Sequence, residues 1–202
     1  MRLFAQFVSY LLHPMLMPTY LLLLVYSTDT YLQLATPANL HLVVTLLVFI
    51  SSCLLPGFGI ILLQRNGLIK SLQMETREER RIPFLITAIF YFLTFYLLRQ
   101  VQLPSLVPLL LLGATFALVL TMLINLKWKI SAHMVGIGGV IGAIIGLSMR
   151  LFVDYRLIIM ILIIVAGLIG SSRMLLNAHS PAQIYFGFGV GISSQLLLFL
   201  LL

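Results

Sequence analysis

Seven apolar runs separated by short polar breaks dominate this chain, at 3–26, 42–63, 82–98, 106–126, 134–149, 157–170 and 184–202. Runs of this kind leave few folds open. Hydrocarbon cannot satisfy backbone N–H and C=O groups, so a spanning segment must be a helix or part of a closed barrel. These runs are continuous instead of alternating, which selects helices. With 61% hydrophobic residues, 8% charged residues and a mean hydropathy of +1.15, the chain lies in the range of multispanning membrane proteins. The expected fold is all-α, a polytopic transmembrane helical bundle of about seven spans, forming one integral-membrane domain over 1–202. The first run follows Arg2 alone and precedes no small-residue cleavage site, so it is expected to persist as a span. Cys53 is the only cysteine and can form neither an intrachain disulfide nor a cysteine zinc site.

Prolines and glycines punctuate these runs. His13-Pro14 and Pro18 imply a kink in the first, where His13 is either a site residue or bonds a carbonyl that the kink exposes. Pro56-Gly57-Phe58-Gly59 implies another in the second. The fifth carries Gly138, Gly142 and Gly146 four residues apart, the spacing that lets two helix backbones approach closely.

Three polar segments stand out against this background. The first, 64–83, is the most charged; read as a continuing helix, it puts Lys70, Met74, Arg77 and Arg81 on one face and Glu75 and Glu79 on the other. The same residues also suit a charged loop touching anionic lipid heads. The second, Lys127 to His133, contains Ser131 and His133. The third, Ser171 to Gln183, contains Ser172, Arg173 and His179. An ionisable group at the centre of a span costs on the order of 2.5–3.5 kcal/mol, so such groups are functional candidates by default. Counted from the N-terminus, the breaks after spans two, four and six return to one side of the membrane, so the three segments are expected to meet. Most of the Lys and Arg residues fall on that side, and Arg99, Arg150 and Arg156 on the other, which predicts a cytoplasmic site.

The chemistry open to these residues is that of phosphate. The acids are Asp29, Glu75, Glu78, Glu79 and Asp154, none beside His133 or His179, so no carboxylate cluster for magnesium is visible and no cofactor or metal is expected. Lys70, Arg77 or Arg81, and Arg173 can supply a cationic clamp instead. Ser180-Pro181-Ala182-Gln183 reads as a capping box, with serine at the N-cap, proline at N1 and glutamine at N3, aiming a positive helix end at the site beside His179.

Taken in order, these segments resemble the three signature motifs of the type 2 phosphatidic acid phosphatase superfamily. Lys70 and Arg77 have the offset of the lysine and arginine in KxxxxxxRP, with Glu78 in place of the proline and Arg81-Ile82-Pro83 close behind. Ser131 and His133 match the end of PSGH, with Ile130 for proline and Ala132 for glycine. Ser172, Arg173 and His179 match the third motif, in which Gln183 replaces an aspartate. The resemblance implies a six-helix phosphatase-like core within the bundle and a metal-free hydrolase in the bacterial cytoplasmic (inner) membrane. It implies that Lys70, Arg77, Arg81, Ser131, Ser172 and Arg173 hold the phosphate. His179 would attack phosphorus to give a phosphohistidine, and His133 would protonate the leaving alkoxide before activating water. The expected partners are the bilayer and a lipid phosphate or isoprenoid diphosphate substrate, with no nucleic acid. The alternative is a catalytically silent relative that binds lipid phosphate or serves as a subunit or scaffold of a membrane complex. Gln183 and the altered first and second motifs favour that alternative.

Overall fold

In the computed structural model, which describes residues 1–74 and 76–201, the chain is helical with no strand among the described residues. Among the described residues, seven segments are long and apolar enough to cross a membrane: Arg2–Tyr26, Ala38–Arg65, Arg81–Leu98, Leu106–Asn125, Ala132–Leu151, Arg156–Leu175 and Pro181–Leu201. The multispanning all-helical class expected from the apolar runs is the one observed. Glu75, assigned from the sequence to one face of the charged segment, lies outside the described residues.

The helices group into two compact units, one of 1–17 with 130–202 and one of 18–129. The first contains α1 (Arg2–Leu11), α8 (Ala132–Leu151), α9 (Arg156–Leu175) and α10 (Pro181–Leu201). The second contains α2 (Met17–Tyr26) from Pro18 onward, α3 (Tyr31–Ala35), α4 (Ala38–Phe49), α5 (Leu55–Arg65), α6 (Arg81–Leu98) and α7 (Leu106–Asn125).

Two spans are irregular near their prolines. The first is interrupted instead of merely kinked: α1 ends at Leu11, a 3₁₀ turn occupies Pro14–Leu16, and α2 resumes at Met17. Pro14 has no N–H to continue the ladder and sits at the start of the turn, where none is needed. In the second span the irregularity precedes the Pro-Gly cluster. Ile50–Leu54 forms a π-helical turn, in which the Leu55 N–H donates to the Ile50 carbonyl, and Pro56 then falls in the first turn of α5.

The first unit is organised around α8, the most enclosed of the seven segments. A Cβ on Gly138 would lie 2.4 Å from the Phe188 carbonyl oxygen of α10, and one on Gly142 2.6 Å from that of Ile192. From the other side, a Cβ on Gly191 would lie 2.2 Å from the Val135 carbonyl oxygen. The expected close approach therefore occurs, and α10 is the helix that makes it. Contacts climb both helices together, from Ser131 against Gly187 to Gly146 against Phe199, so α8 and α10 run parallel. Gly170, near the end of α9, meets Met134 and Ile184 near the starts of α8 and α10, so α9 runs the other way. One end of this unit thus gathers the beginnings of α8 and α10 and the end of α9.

Gly191 and Gly189 separate packing from propensity within one helix. Gly191→Ala is expected to destabilise the protein by about 1–3 kcal/mol through overpacking against α8 backbone. Gly189→Ala, whose new methyl meets nothing within 4 Å, is expected to be neutral or stabilising by up to about 1 kcal/mol, because alanine is the better helix former. Thermal unfolding of the two variants in detergent checks the contrast.

Candidate functional site

Helix α9 runs further than its apolar run, and this carries Ser172 and Arg173 into its last turn. The chain turns at Asn177, whose φ of 52° is left-handed. The Ala178 N–H returns to the Arg173 carbonyl (3.0 Å) and the Asn177 N–H to that of Met174 (2.9 Å), a Schellman closure in which asparagine takes the usual glycine position. Ser172 was expected to face phosphate. Its hydroxyl instead donates to the Leu168 carbonyl of its own helix (2.8 Å).

Two residues after this turn, α10 begins with the capping box that its sequence predicts. Gln183 N–H donates to Ser180 Oγ at 3.4 Å, and Gln183 Oε1 accepts from the Ser180 N–H at 3.2 Å. The same amide oxygen lies 3.0 Å from His179 Nδ1. A carbonyl oxygen only accepts, so Nδ1 of His179 carries the proton and the neutral ring's lone pair is on Nε2. Gln183 Oε1 thus serves the capping box and orients His179 at once. His179 is buried beside this helix start.

Ser131 and His133 open α8. Ser131 occupies the N-cap position with extended backbone, yet its hydroxyl makes no capping bond. That hydroxyl is fully buried and has no partner among the described residues. His133, also buried, donates Nε2–H to the Ser9 carbonyl of α1 at 3.0 Å. The break at Pro14 explains why that carbonyl is open. The last carbonyls of a helix have no intrahelical partner, and α1 ends two residues beyond Ser9. Of the two readings that the sequence left open for His13, the bond to a carbonyl exposed at the break is made by His133 instead. His13 instead caps the 3₁₀ turn, accepting the Met15 N–H at Nδ1 (3.4 Å), with its ring edge-on to that of His133 at 5.4 Å.

Arg173 completes this group by donating Nη1–H to Ser9 Oγ at 3.2 Å, while its Nε is buried with no partner among the described residues. His133 is within electrostatic reach of Arg173, His13 and His179. The second and third polar segments therefore meet at one end of the first unit. Sequence reasoning missed Ser9 and left His13 undecided. The signal was available in α1, where Ala5, Val8 and Ser9 are the buried positions. That spacing sets a hydroxyl in the inward stripe.

The remaining predicted site residues, Lys70, Arg77 and Arg81, belong to the second unit, and they do not form a helical face. Helix α5 stops at Arg65, Gly67 and Met74 have φ of 72° and 48°, and α6 starts only at Arg81. The described residues between form a loop built on the Glu79 carboxylate, which accepts the Lys70 N–H at 2.9 Å, the Thr76 N–H at 3.4 Å and the Thr76 hydroxyl at 3.3 Å. Arg77 is used structurally. Its Nη1 donates to the Lys127 carbonyl and its Nε to Glu78, both at 2.8 Å, while its own carbonyl accepts from Asn125 Nδ2. Lys70 and Arg81 are exposed, whereas Arg80, which the sequence did not single out, is buried and donates Nε–H to the Met74 carbonyl. Among the described residues, no group of three or more His, Cys, Asp or Glu side chains is arranged to hold a metal.

No protein-family model, curated protein or solved structure matches the chain.

The Lys70 amide holds Glu79 below its ordinary carboxylate range, with Thr76 adding to the effect. A carboxylate lowered in the folded state contributes order above its unfolded pKa and loses it as pH falls through the folded value. The loop is therefore expected to be ordered at neutral pH and to loosen on acidification. Glu79→Ala is expected to loosen it at pH 7 already, giving several-fold faster tryptic cleavage after Lys70 and Arg77. A wild-type cleavage rate in that variant excludes this role for Glu79.

Proposed function

We propose that this protein is a membrane-embedded, metal-independent phosphatase of the type 2 phosphatidic acid phosphatase kind, acting on a lipid phosphate or isoprenoid diphosphate at the cytoplasmic face. The observation that carries the reading is the 3.0 Å bond between His179 Nδ1 and Gln183 Oε1 at the start of α10. It puts the ring lone pair on Nε2, the arrangement a nucleophilic histidine requires. The positive end of α10 lies beside it and favours an anion. Arg173 adds a fixed cation whose Nε has no partner among the described residues, and the buried Ser131 hydroxyl is a further donor without one. Attack by Nε2 of His179 on phosphorus breaks the bond to the leaving alkoxide and forms a phosphohistidine. His133, entering as the imidazolium, gives its Nδ1 proton to that alkoxide, and the neutral ring then accepts a proton at Nδ1 from the water that breaks the phosphorus–nitrogen bond. Because Nε2–H of His133 is held by the Ser9 carbonyl, the proton moves through Nδ1.

A second reading, a silent relative that binds lipid phosphate or serves in a membrane complex, rests on Gln183 being uncharged. In serine proteases the change from carboxylate to amide beside the catalytic histidine costs about 10⁴ in rate. A neutral partner orients His179 but does little to stabilise the charge that develops on it.

Phosphate release by purified protein from a panel of lipid phosphates and isoprenoid diphosphates is expected to persist in chelator, to be blocked by vanadate and to vanish in His179→Ala with the melting temperature unchanged. Strict magnesium dependence, or activity in His179→Ala, overturns the mechanism. Gln183→Glu keeps the side-chain length that reaches both Ser180 N–H and His179, and adds a charge at a helix start. It is expected to raise the rate by about tenfold or more. A shorter aspartate is expected to restore less, because it gives up part of that reach. A rate unchanged in Gln183→Glu leaves capping as the role of Gln183.

A further inference from the structure

We propose that Ser9 is a positioning residue that sets Arg173 and His133 against each other across three helices, and that the end of α1 is thereby part of the oxyanion site. The proposal rests on the phosphatase reading, but nothing in that reading's sequence motifs points to α1.

The hydroxyls of other spans show what is unusual about Ser9. Ser51, Thr87, Thr94, Thr115, Thr121, Ser172 and Ser194 each return a hydrogen bond to a carbonyl four residues back in the same helix, which satisfies the group locally. Ser9 is equally buried, yet its Oγ accepts from Arg173 Nη1 of α9 at 3.2 Å. Its carbonyl, left open by the end of α1, accepts from His133 Nε2 of α8 at 3.0 Å. One residue thus supplies two acceptors to two different helices. Each bond settles a geometry that phosphate chemistry needs. Arginine has five donors in a rigid fork, so fixing Nη1 orients the rest, including the Nε that has no partner among the described residues. The bond from His133 fixes its tautomer, so that Nδ1 is the nitrogen that exchanges a proton.

The two bonds can be separated by mutation, because only one of them uses the side chain. Ser9→Ala removes the acceptor of Arg173 and keeps the carbonyl that holds His133, and alanine preserves the helix. Ser9→Thr keeps both. The probe is inorganic phosphate, titrated by calorimetry into wild-type, Ser9→Ala and Ser9→Thr protein in detergent, with turnover measured in parallel. Ser9→Ala is expected to weaken phosphate binding about tenfold or more, the scale of one hydrogen bond to a charged group. It should raise KM by a similar factor, with the pH profile of kcat unchanged because His133 keeps its acceptor. Ser9→Thr is expected to bind within about threefold of wild type. Wild-type binding in Ser9→Ala, or a Ser9→Thr variant as weak as Ser9→Ala at an unchanged melting temperature, overturns the positioning role and leaves the phosphatase reading standing. Absence of phosphate binding by the wild type overturns both.

Discussion

The backbone contact between α8 and α10 is the constraint on which the first unit depends. Helices in lipid gain little from the hydrophobic effect on associating, because the tails around them are as apolar as their side chains, so close packing must hold them together. Here Gly138 and Gly142 on α8 and Gly191 on α10 let each backbone reach the other's carbonyls, at distances no Cβ would allow. The approach extends along both helices from their first turns. That parallel alignment sets Ser131 and His133 level with the capping box of α10, and fixes where His179 lies.

The polar end of this unit illustrates how ionisable groups are kept within a membrane protein. His133, Arg173 and His179 are each tied to an acceptor that the fold supplies. Pro14 ends α1 and frees the Ser9 carbonyl, which His133 takes. The box at the start of α10 needs an acceptor at N3, and the same Gln183 oxygen serves His179. The Schellman turn at Asn177 closes α9 just after Arg173 and leads directly to His179. Helix ends, where backbone groups lack partners, are thus the places where this chain keeps its histidines. His41 follows the same rule in the second unit, with Nε2 close to the Gln33 and Thr36 carbonyls and its ring stacked on Tyr26 at 4.4 Å.

In the charged loop of the second unit, cations serve structure before chemistry. Arg77 reaches the Lys127 carbonyl while Asn125 reaches the Arg77 carbonyl, a reciprocal clasp between the loop and the end of α7. Charge patterning alone gives no way to distinguish such a clasp from a phosphate ligand. Both need an arginine at the water boundary, and only the position of the acceptor separates them.

The sequence by itself determined the features that arise from local backbone chemistry. The apolar runs dictated seven spanning helices, because lipid leaves the backbone no other partner. Ser180-Pro181-Ala182-Gln183 dictated the start of α10, and the glycines spaced along 134–149 marked a helix made for close contact. Span parity foretold that the second and third polar segments would share an end, since two crossings return the chain to the side it left. The tertiary structure alone decided which groups pair across helices. It gave Gly138 and Gly142 their partner α10, turned Ser172 back onto its own helix, and decided between a cationic stripe and a charged loop by folding the described residues around Glu79. It also brought Ser9 to Arg173 and His133. The physical reason is range: a cap or a span is fixed by residues within a few positions of one another, whereas an acceptor's availability to a distant donor depends on where another helix happens to end.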